Sequence, residues 1–480
     1  MKICVLQPDY STSAVDYQHY DPQRDLSALM PEASITNVLL NKLTTYKQLK
    51  DLKRQGYDVF VNLCEGYLEW EVPSIDVIYT LELLNLPFTG PTSLLYDPPK
   101  ELMKYVAYCE GVKTPAYVLV QSISDAGKAA TELAFPLFVK PAKAGDSLGI
   151  DAGSLVHDAT ALLEKVAKQL PEYDELLVEA YIDGREFTVM LAANPDPANG
   201  CTVFKPVEFI FPEGNRFKTY ALKTSELHPT ANIPVTDKLL DQQLRQAAEK
   251  IFTAFKGVGY ARLDFRMNAD GELFFLEINF TCSVFYSDGY EGSADYILKH
   301  DGFGQSNFLR HIIDEGISRH GEKQKKYAVK GNAIAGYGIY AAHDIAVGQP
   351  IFKGEEKGQR IVTRRHVEQY WTAAEKETFR RYAYPISDEV FLLWDNNPAE
   401  WAPQNHSCNP NTAYDGLNVL SLRAILKGEE LTLDYASFLD ENMEPFQCHC
   451  GSANCRSTIT GMPKNTITER EKIIIVKPGT

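Results

Sequence analysis

The sequence predicts a multidomain chain of α/β and α+β class: a small α/β unit with a parallel sheet, a larger α/β block, and a mainly-β C-terminal block closed by a cysteine-rich segment. Three observations carry this. Short apolar runs alternate with amphipathic stretches near the N-terminus, the pattern of strands and helices stacked in layers. In the middle block, acids recur inside apolar, strand-like runs. The remainder is rich in short strands and glycine turns, and its cysteines cluster.

In chain order, residues 1–95 form the first unit. Residues 3–6 and 59–63 read as strands and 38–54 as a helix. Pro87-Phe88-Thr89-Gly90-Pro91 punctuates its end. The second block runs over 96–320. The polar stretch 319–326 makes 321–330 the linker. The third block covers 331–436, its cysteine-rich extension 437–462, and a tail 463–480, in which 472–477 could add a strand. There is no internal repeat. With 44% hydrophobic and 23% charged residues, the composition is that of a soluble globular protein.

A formal charge of -16 disfavours phosphate backbones, so direct nucleic-acid binding is not expected, while a lysine-rich segment would be tolerated. No apolar run approaches membrane-spanning length. Met1-Lys2-Ile3-Cys4-Val5-Leu6 turns polar at Gln7 and is too short for a signal-peptide core. With scattered single cysteines, the expectation is a reducing cytoplasm without disulfides.

In the middle block, Phe135-Pro136-Leu137-Phe138-Val139-Lys140-Pro141 is a buried strand ending in a lysine, followed by the small-residue loop Gly145-Asp146-Ser147-Leu148-Gly149. Lys140 could reach a phosphate while loop amides donate to its oxygens. Alone this is weak, since a strand-end lysine is more often simply solvated. Next come a strand, a turn and a strand over 177–188 with two carboxylates, Glu179 and Glu186. Arg262-Leu263-Asp264-Phe265 and Leu276-Glu277-Ile278-Asn279 read as a hairpin turning at Asp270-Gly271. Asp264, Glu277 and Asn279 alternate so as to share one face. Converging oxygen ligands there suit magnesium that also holds nucleotide phosphates.

In the C-terminal block, Gly336-Tyr337-Gly338 is a turn that lets backbone approach a cofactor. Asn405-His406-Ser407-Cys408-Asn409-Pro410-Asn411 follows, then Gly428-Glu429-Glu430-Leu431-Thr432-Leu433-Asp434-Tyr435, whose residues 431–435 read as a strand. Cys408 with Cys448, Cys450 and Cys455 offers four thiolates, which suit one tetrahedral zinc ion. Tyr382, Tyr384, Phe391, Trp394 and Trp401 lie between these motifs; core packing is the expectation for most, and some could line a channel for an amine.

Residues 1–320 resemble the ATP-grasp superfamily, in its D-alanine–D-alanine ligase-like branch, and the last third of the chain resembles a SET-domain methyltransferase with a post-SET zinc module. The first resemblance implies ATP contacts from Lys104, Lys140, Gly145 and Ser147. It also implies Glu179 near the adenine, Glu186 on the ribose and Lys223 toward the phosphates. It further implies magnesium on Asp264, Glu277 and Asn279, with Arg262 at the developing oxyanion. Carboxylate activation through an acylphosphate, followed by amide formation, is the implied chemistry. The second resemblance implies S-adenosylmethionine against Gly336, Gly338, Asn405 and His406, with Asn405 and His406 around the adenine and Tyr435 catalytic. Analogy with the ligases adds a homodimer.

Asp146 stands where D-alanine ligases carry serine, Phe280-Thr281-Cys282-Ser283-Val284-Phe285-Tyr286 replaces a Ser-Pro-Gly-containing segment, and no counterpart of their N-terminal glutamate is present. The expectation is therefore a different amino acid or peptide substrate. Three readings stay open: a bifunctional ligase and amine (protein-lysine-type) methyltransferase; a methyltransferase with a nucleotide-binding regulatory half; and a ligase with an inactive SET interaction domain.

Overall fold

The computed structural model describes residues 1–11, 21–65, 72–143, 149–213, 216–217, 231–394, 404–441 and 444–462. It divides into two compact units, 1–323 and 324–480.

The first unit begins with three parallel strands, β1 (Lys2–Pro8), β2 (Ser34–Leu40) and β3 (Val59–Asn62), in the order β2-β1-β3. All four residues of β3 are buried, as expected of parallel strands covered on both faces. Cys4 and Leu6 face the helices Thr45–Lys53 and Ile75–Leu83, while Ile3 and Val5 pack toward Phe308, Leu309 and Ile312 of the helix Gly304–Lys323.

The helix expected at 38–54 begins only at Thr45, because 38–40 belong to β2. The seven-residue ladder from Lys2↔Ser34 to Pro8↔Leu40 claims that apolar run. The Asn41 side chain then accepts from the Leu43 N–H at 3.1 Å, an Asx turn that separates strand from helix.

Two antiparallel sheets follow. The first holds β4 (Tyr117–Val120), β5 (Leu137–Pro141), β6 (Leu155–Val156) and β7 (Leu176–Ala180), ordered β4-β7-β5-β6. The helices Ile123–Glu132 and Ala159–Tyr173 cover one face, burying Ala126, Ala129, Leu162 and Val166. The second holds β8 (Arg185–Ala193), β9 (Cys201–Val203), β10 (Val207–Phe209), β11 (Asn232–Pro234), β12 (Tyr260–Met267) and β13 (Leu273–Asn279), ordered β11-β10-β8-β12-β13 with β9 also on β8.

The strand–turn–strand stretch at 177–188 is not a hairpin: β7 and β8 enter different sheets. Gly184 makes the passage at φ +142, where a Cβ would lie 2.1 Å from the Met267 carbonyl. β12 and β13 do form the expected hairpin, with a bulge between Asp264 and Phe265. The helix Gly304–Lys323 takes the first three residues of the expected linker 321–330, and the strand Tyr327–Asn332 takes its last four.

Beside the helices Arg364–Tyr370 and Ala373–Tyr382, the described residues of the second unit form short strands: β14 (Tyr327–Asn332), β15 (Gly336–Ala341), β16 (Pro350–Phe352), β17 (Gln359–Thr363), β18 (Tyr384–Pro385), β19 (Val390–Trp394), β20 (Asn405–His406), β21 (Thr412–Asp415), β22 (Asn418–Ser421), β23 (Thr432–Leu433), β24 (Phe446–Gln447) and β25 (Thr458–Ile459). They make small sheets, β14-β15, β16-β22-β21, β17-β19-β18, β24-β25 and the parallel pair β20-β23. The strand expected over 431–435 is confined to β23. Asp434 accepts from the Ala436 N–H and caps a 3-10 turn, Tyr435–Ser437, which lifts Tyr435 out of the ladder. Among the described residues no helix is long and apolar enough to cross a membrane.

Candidate active sites

In the first unit the helix Lys100–Cys109 presents two lysines one turn apart, Lys100 and Lys104, both buried. Lys104 Nζ lies 2.6 Å from one Glu179 oxygen and Lys140 Nζ 2.5 Å from the other. The pairing of β5 with β7 accounts for the second contact: Phe138 faces Glu179, so Lys140 is its diagonal neighbour on the same sheet face. Glu179 is only 4% exposed and Lys104 1%. Burial pushes the Glu179 carboxyl up, but the two ammonium groups outweigh it and hold it at about 2. Burial drives Lys104 down despite Glu179, whereas Lys140, equally buried, is raised by Glu179 and Glu277.

The β12–β13 ladder pairs Arg262 with Asn279 and Asp264 with Glu277, so all four side chains start from one face. Arg262 Nε is 3.5 Å from Asp264, Asn279 Nδ2 is 3.5 Å from Glu277, and Lys100 Nζ is 3.8 Å from Glu277. Three oxygen-bearing side chains, two of them anionic, form a donor set that fits a magnesium ion. Glu186 faces Arg266 across β8 and β12, with the guanidinium 3.5 Å away and lying over the Tyr181 ring. Phe138 stacks on Tyr181 at 6.2 Å. Lys100 was missed in the sequence; its spacing of four from Lys104 on an amphipathic helix was the available signal. Gly145, Ser147 and Lys223 lie outside the described residues.

In the second unit, Asn405 and Gly338 meet around Glu430. Asn405 Nδ2 donates to Glu430 and to the Tyr337 carbonyl, both at 2.8 Å. A Cβ on Gly338 would fall 2.3 Å from Glu430 Oε1, so its bare backbone makes room for this carboxylate. Gly336 takes φ +81 at the start of β15. His406 Nδ1 accepts from the Tyr435 N–H at 3.1 Å, which leaves the proton on Nε2, 3.4 Å from Cys408 Sγ. Burial pushes this imidazole below its ordinary range, so it stays neutral at pH 7.

The Tyr435 hydroxyl donates to the Gln404 carbonyl at 2.5 Å, and burial raises it far above the phenol range. It looks into an aromatic cleft of about 730 Å³, mouth included, lined by Tyr382, Tyr384, Trp394, Tyr414 and Phe438 among others. Tyr384 and Tyr414 centroids are 5.0 Å apart, and Tyr414 and Phe438 4.8 Å. Phe391 belongs instead to a core with Val367 and Phe379, and Trp401 lies outside the described residues. Tyr414 and Phe438 were not anticipated; they come from separate segments and share no sequence spacing.

The sulfurs of Cys408, Cys448, Cys450 and Cys455 all lie within 4.8 Å of one another, with Cys408 and Cys448 at 3.9 Å. Zinc–sulfur bonds of about 2.3 Å in a tetrahedron require sulfurs roughly 3.8 Å apart, so the set fits zinc. The Arg456 N–H donates to Cys408 Sγ and Asn454 Nδ2 to the Cys408 carbonyl, bracing the first ligand.

Residues 110–285 match the family model described as D-ala D-ala ligase C-terminus, and residues 336–436 match the SET domain. A D-alanine–D-alanine ligase of Cupriavidus necator is 28% identical over 241 residues, 48% of this chain and 69% of its own. A Sinorhizobium fredii protein called uncharacterized protein y4sG is 32% identical over 291 residues, 59% of this chain and 81% of its own. The crystal structure of D-alanyl-alanine synthetase A from Vibrio cholerae superposes with a TM-score of 0.50 at 19% identity, covering 66% of this chain and 98% of that one. Sheets, site face and family matches agree: the chain belongs to the D-alanine–D-alanine ligase-like ATP-grasp proteins and carries a SET domain behind the ligase unit.

Proposed function

We propose that this chain is a bifunctional enzyme, an ATP- and magnesium-dependent carboxylate–amine ligase joined to an S-adenosylmethionine-dependent amine N-methyltransferase. What supports the ligase half above all is the convergence of Lys100, Lys104 and Lys140 on Glu179 and Glu277, beside a face carrying Arg262, Asp264 and Asn279. Buried lysines facing carboxylates are poised to exchange those partners for phosphate oxygens when a nucleotide enters. The flat faces of Phe138 and Tyr181 beside Glu179 and Glu186 suit a purine and its ribose. Magnesium on Asp264, Glu277 and Asn279 would offset phosphate charge.

In the proposed reaction a carboxylate oxygen takes the γ-phosphoryl group and ADP leaves. An amine then attacks the acyl carbon, and phosphate departs as the amide forms. Arg262 stabilises the oxyanion of that attack. The substrate is an amino acid or short peptide other than D-alanine, because the segment after Asn279 departs from the D-alanine ligases. In the SET half, Tyr435 orients a neutral amine through its hydroxyl lone pairs, and the rings of Tyr384, Trp394 and Tyr414 hold the methylated ammonium product. The acceptor is a lysine-type amine on a peptide or protein.

The test is phosphate release from magnesium ATP across pools of amino acids and short peptides. Substrate-dependent release, abolished by Glu277→Gln with S-adenosylmethionine binding retained, is expected. No release from any pool, alongside tight S-adenosylmethionine binding, would favour a methyltransferase with a nucleotide-binding module. Tyr435→Phe is expected to slow methyl transfer by about 10- to 100-fold with cofactor affinity unchanged. Unaltered turnover would remove Tyr435 from the chemistry.

A further inference from the structure

The last two turns of the helix Gly304–Lys323 set Arg319 and Lys323 four residues apart on one face. Both line a cleft of about 760 Å³, mouth included, whose other wall is the segment 82–94 with Leu86 and Phe88 on its apolar side. The helix meets that segment closely at Gly316, where a Cβ would lie 2.5 Å from the Phe88 carbonyl.

This approach fixes the Arg319 side chain, which is only 12% exposed. Its Nε lies 3.0 Å from Glu315 Oε1, and its Nη2 donates to the Phe88 carbonyl at 2.8 Å. The guanidinium lies over the Phe88 ring, 5.0 Å from the centroid. Nη1 is buried and has no hydrogen-bond partner among the described residues. A guanidinium carries five donors in a rigid plane, and one carboxylate oxygen with one carbonyl cannot serve them all. Burial outweighs the attraction within the pair, pushing the Glu315 carboxyl up and the Arg319 guanidinium down. A buried donor left unserved in this way costs about 1–3 kcal/mol.

The charges around the cleft decide what kind of acceptor fits. Glu82 is the one acid that lines it, and its two oxygens already accept from the Ser93 N–H and hydroxyl at 3.1 and 2.7 Å. Lys323 is exposed and forms no ion pair among the described residues. Two cations therefore stand against one acid, on a chain of formal charge -16. Arg319 also borders a second cleft, of about 660 Å³, but there Glu315 and Glu322 balance Arg319 and Lys256. The excess positive charge belongs to the first cleft.

We propose that this cleft is a binding site for a small anion, a carboxylate or phosphate group whose oxygens accept from Arg319 and Lys323 together. A ligand held there bridges the segment 82–94 to the helix Gly304–Lys323. The site shares no residue with the cluster of Lys104, Lys140 and Glu179 and requires neither proposed activity.

The test is calorimetry on the full chain, titrated with inorganic phosphate and, separately, with acetate at low and constant ionic strength. Saturable binding is expected, and the tighter of the two anions tells a phosphate-bearing ligand from a carboxylate. Lys323→Glu is expected to weaken binding by about 10- to 100-fold, with the thermal midpoint of the ligand-free protein unchanged. Arg319→Gln is expected to weaken it at least as much and to lower that midpoint, because Glu315 loses its partner. Binding that Lys323→Glu leaves unaltered belongs elsewhere on the chain and overturns the proposal. So does the absence of binding by either anion. Phosphate release from ATP is read separately, so failure here and failure of the ligase reading are distinct results.

Discussion

Glu179→Gln is expected to destabilise the N-terminal unit by about 3–5 kcal/mol and to abolish ATP binding. Glu179 holds Lys104 and Lys140 at 2.6 and 2.5 Å in a region nearly closed to water. Removing its charge leaves two ammonium groups facing each other with only a neutral amide between them. The pH dependence identifies the cause. The folded Glu179 carboxyl sits at about 2, below its ordinary 4.5. Its contribution, about 3 kcal/mol, is therefore complete above pH 4.5 and lost as pH falls toward 2. Urea midpoints of the native chain and the variant should differ most at pH 7 and converge in acid. Identical midpoints at pH 7 would mean that the lysines do not depend on Glu179.

The second large effect is expected at the cysteines. Purified protein should contain one zinc per chain by elemental analysis, and Cys448→Ser should lose it. Structural zinc in small modules contributes apparent binding energies of about 10–16 kcal/mol, far more than the short β24–β25 hairpin can replace. The loss should reach the neighbouring site, because Cys408 contacts His406 Nε2 and His406 Nδ1 holds the Tyr435 backbone. Methyl transfer should fall together with the thermal stability of the C-terminal unit, while ATP-dependent phosphate release persists. Protein that is active and stable without stoichiometric zinc would remove the metal from the scheme.

Much of both candidate sites was legible in the sequence because their residues sit in local patterns. Asp264, Glu277 and Asn279 alternate on a hairpin whose turn is marked by Asp270-Gly271, and a period of two puts them on one face wherever that hairpin lies. Cys448, Cys450 and Cys455 fall within one short stretch, and Cys408 was tied to them by the count of thiolates that zinc requires. Lys100 escaped because a lysine four residues from another on a helix reads as a solvated face until the partner acids are known.

The sequence by itself determined the layered class, the β12–β13 hairpin and which residues are candidate metal donors, since strand period, turn chemistry and ligand type act over a few residues. Only the tertiary structure decided the rest. It sent β7 and β8 into different sheets, gave 38–40 to β2 and lifted Tyr435 off its strand. It also gathered Tyr384, Trp394, Tyr414 and Phe438 into one cleft and turned Glu430 onto Asn405 and Gly338. Each of these depends on pairing or burial between segments distant along the chain, where long-range ladders and desolvation outweigh local preference.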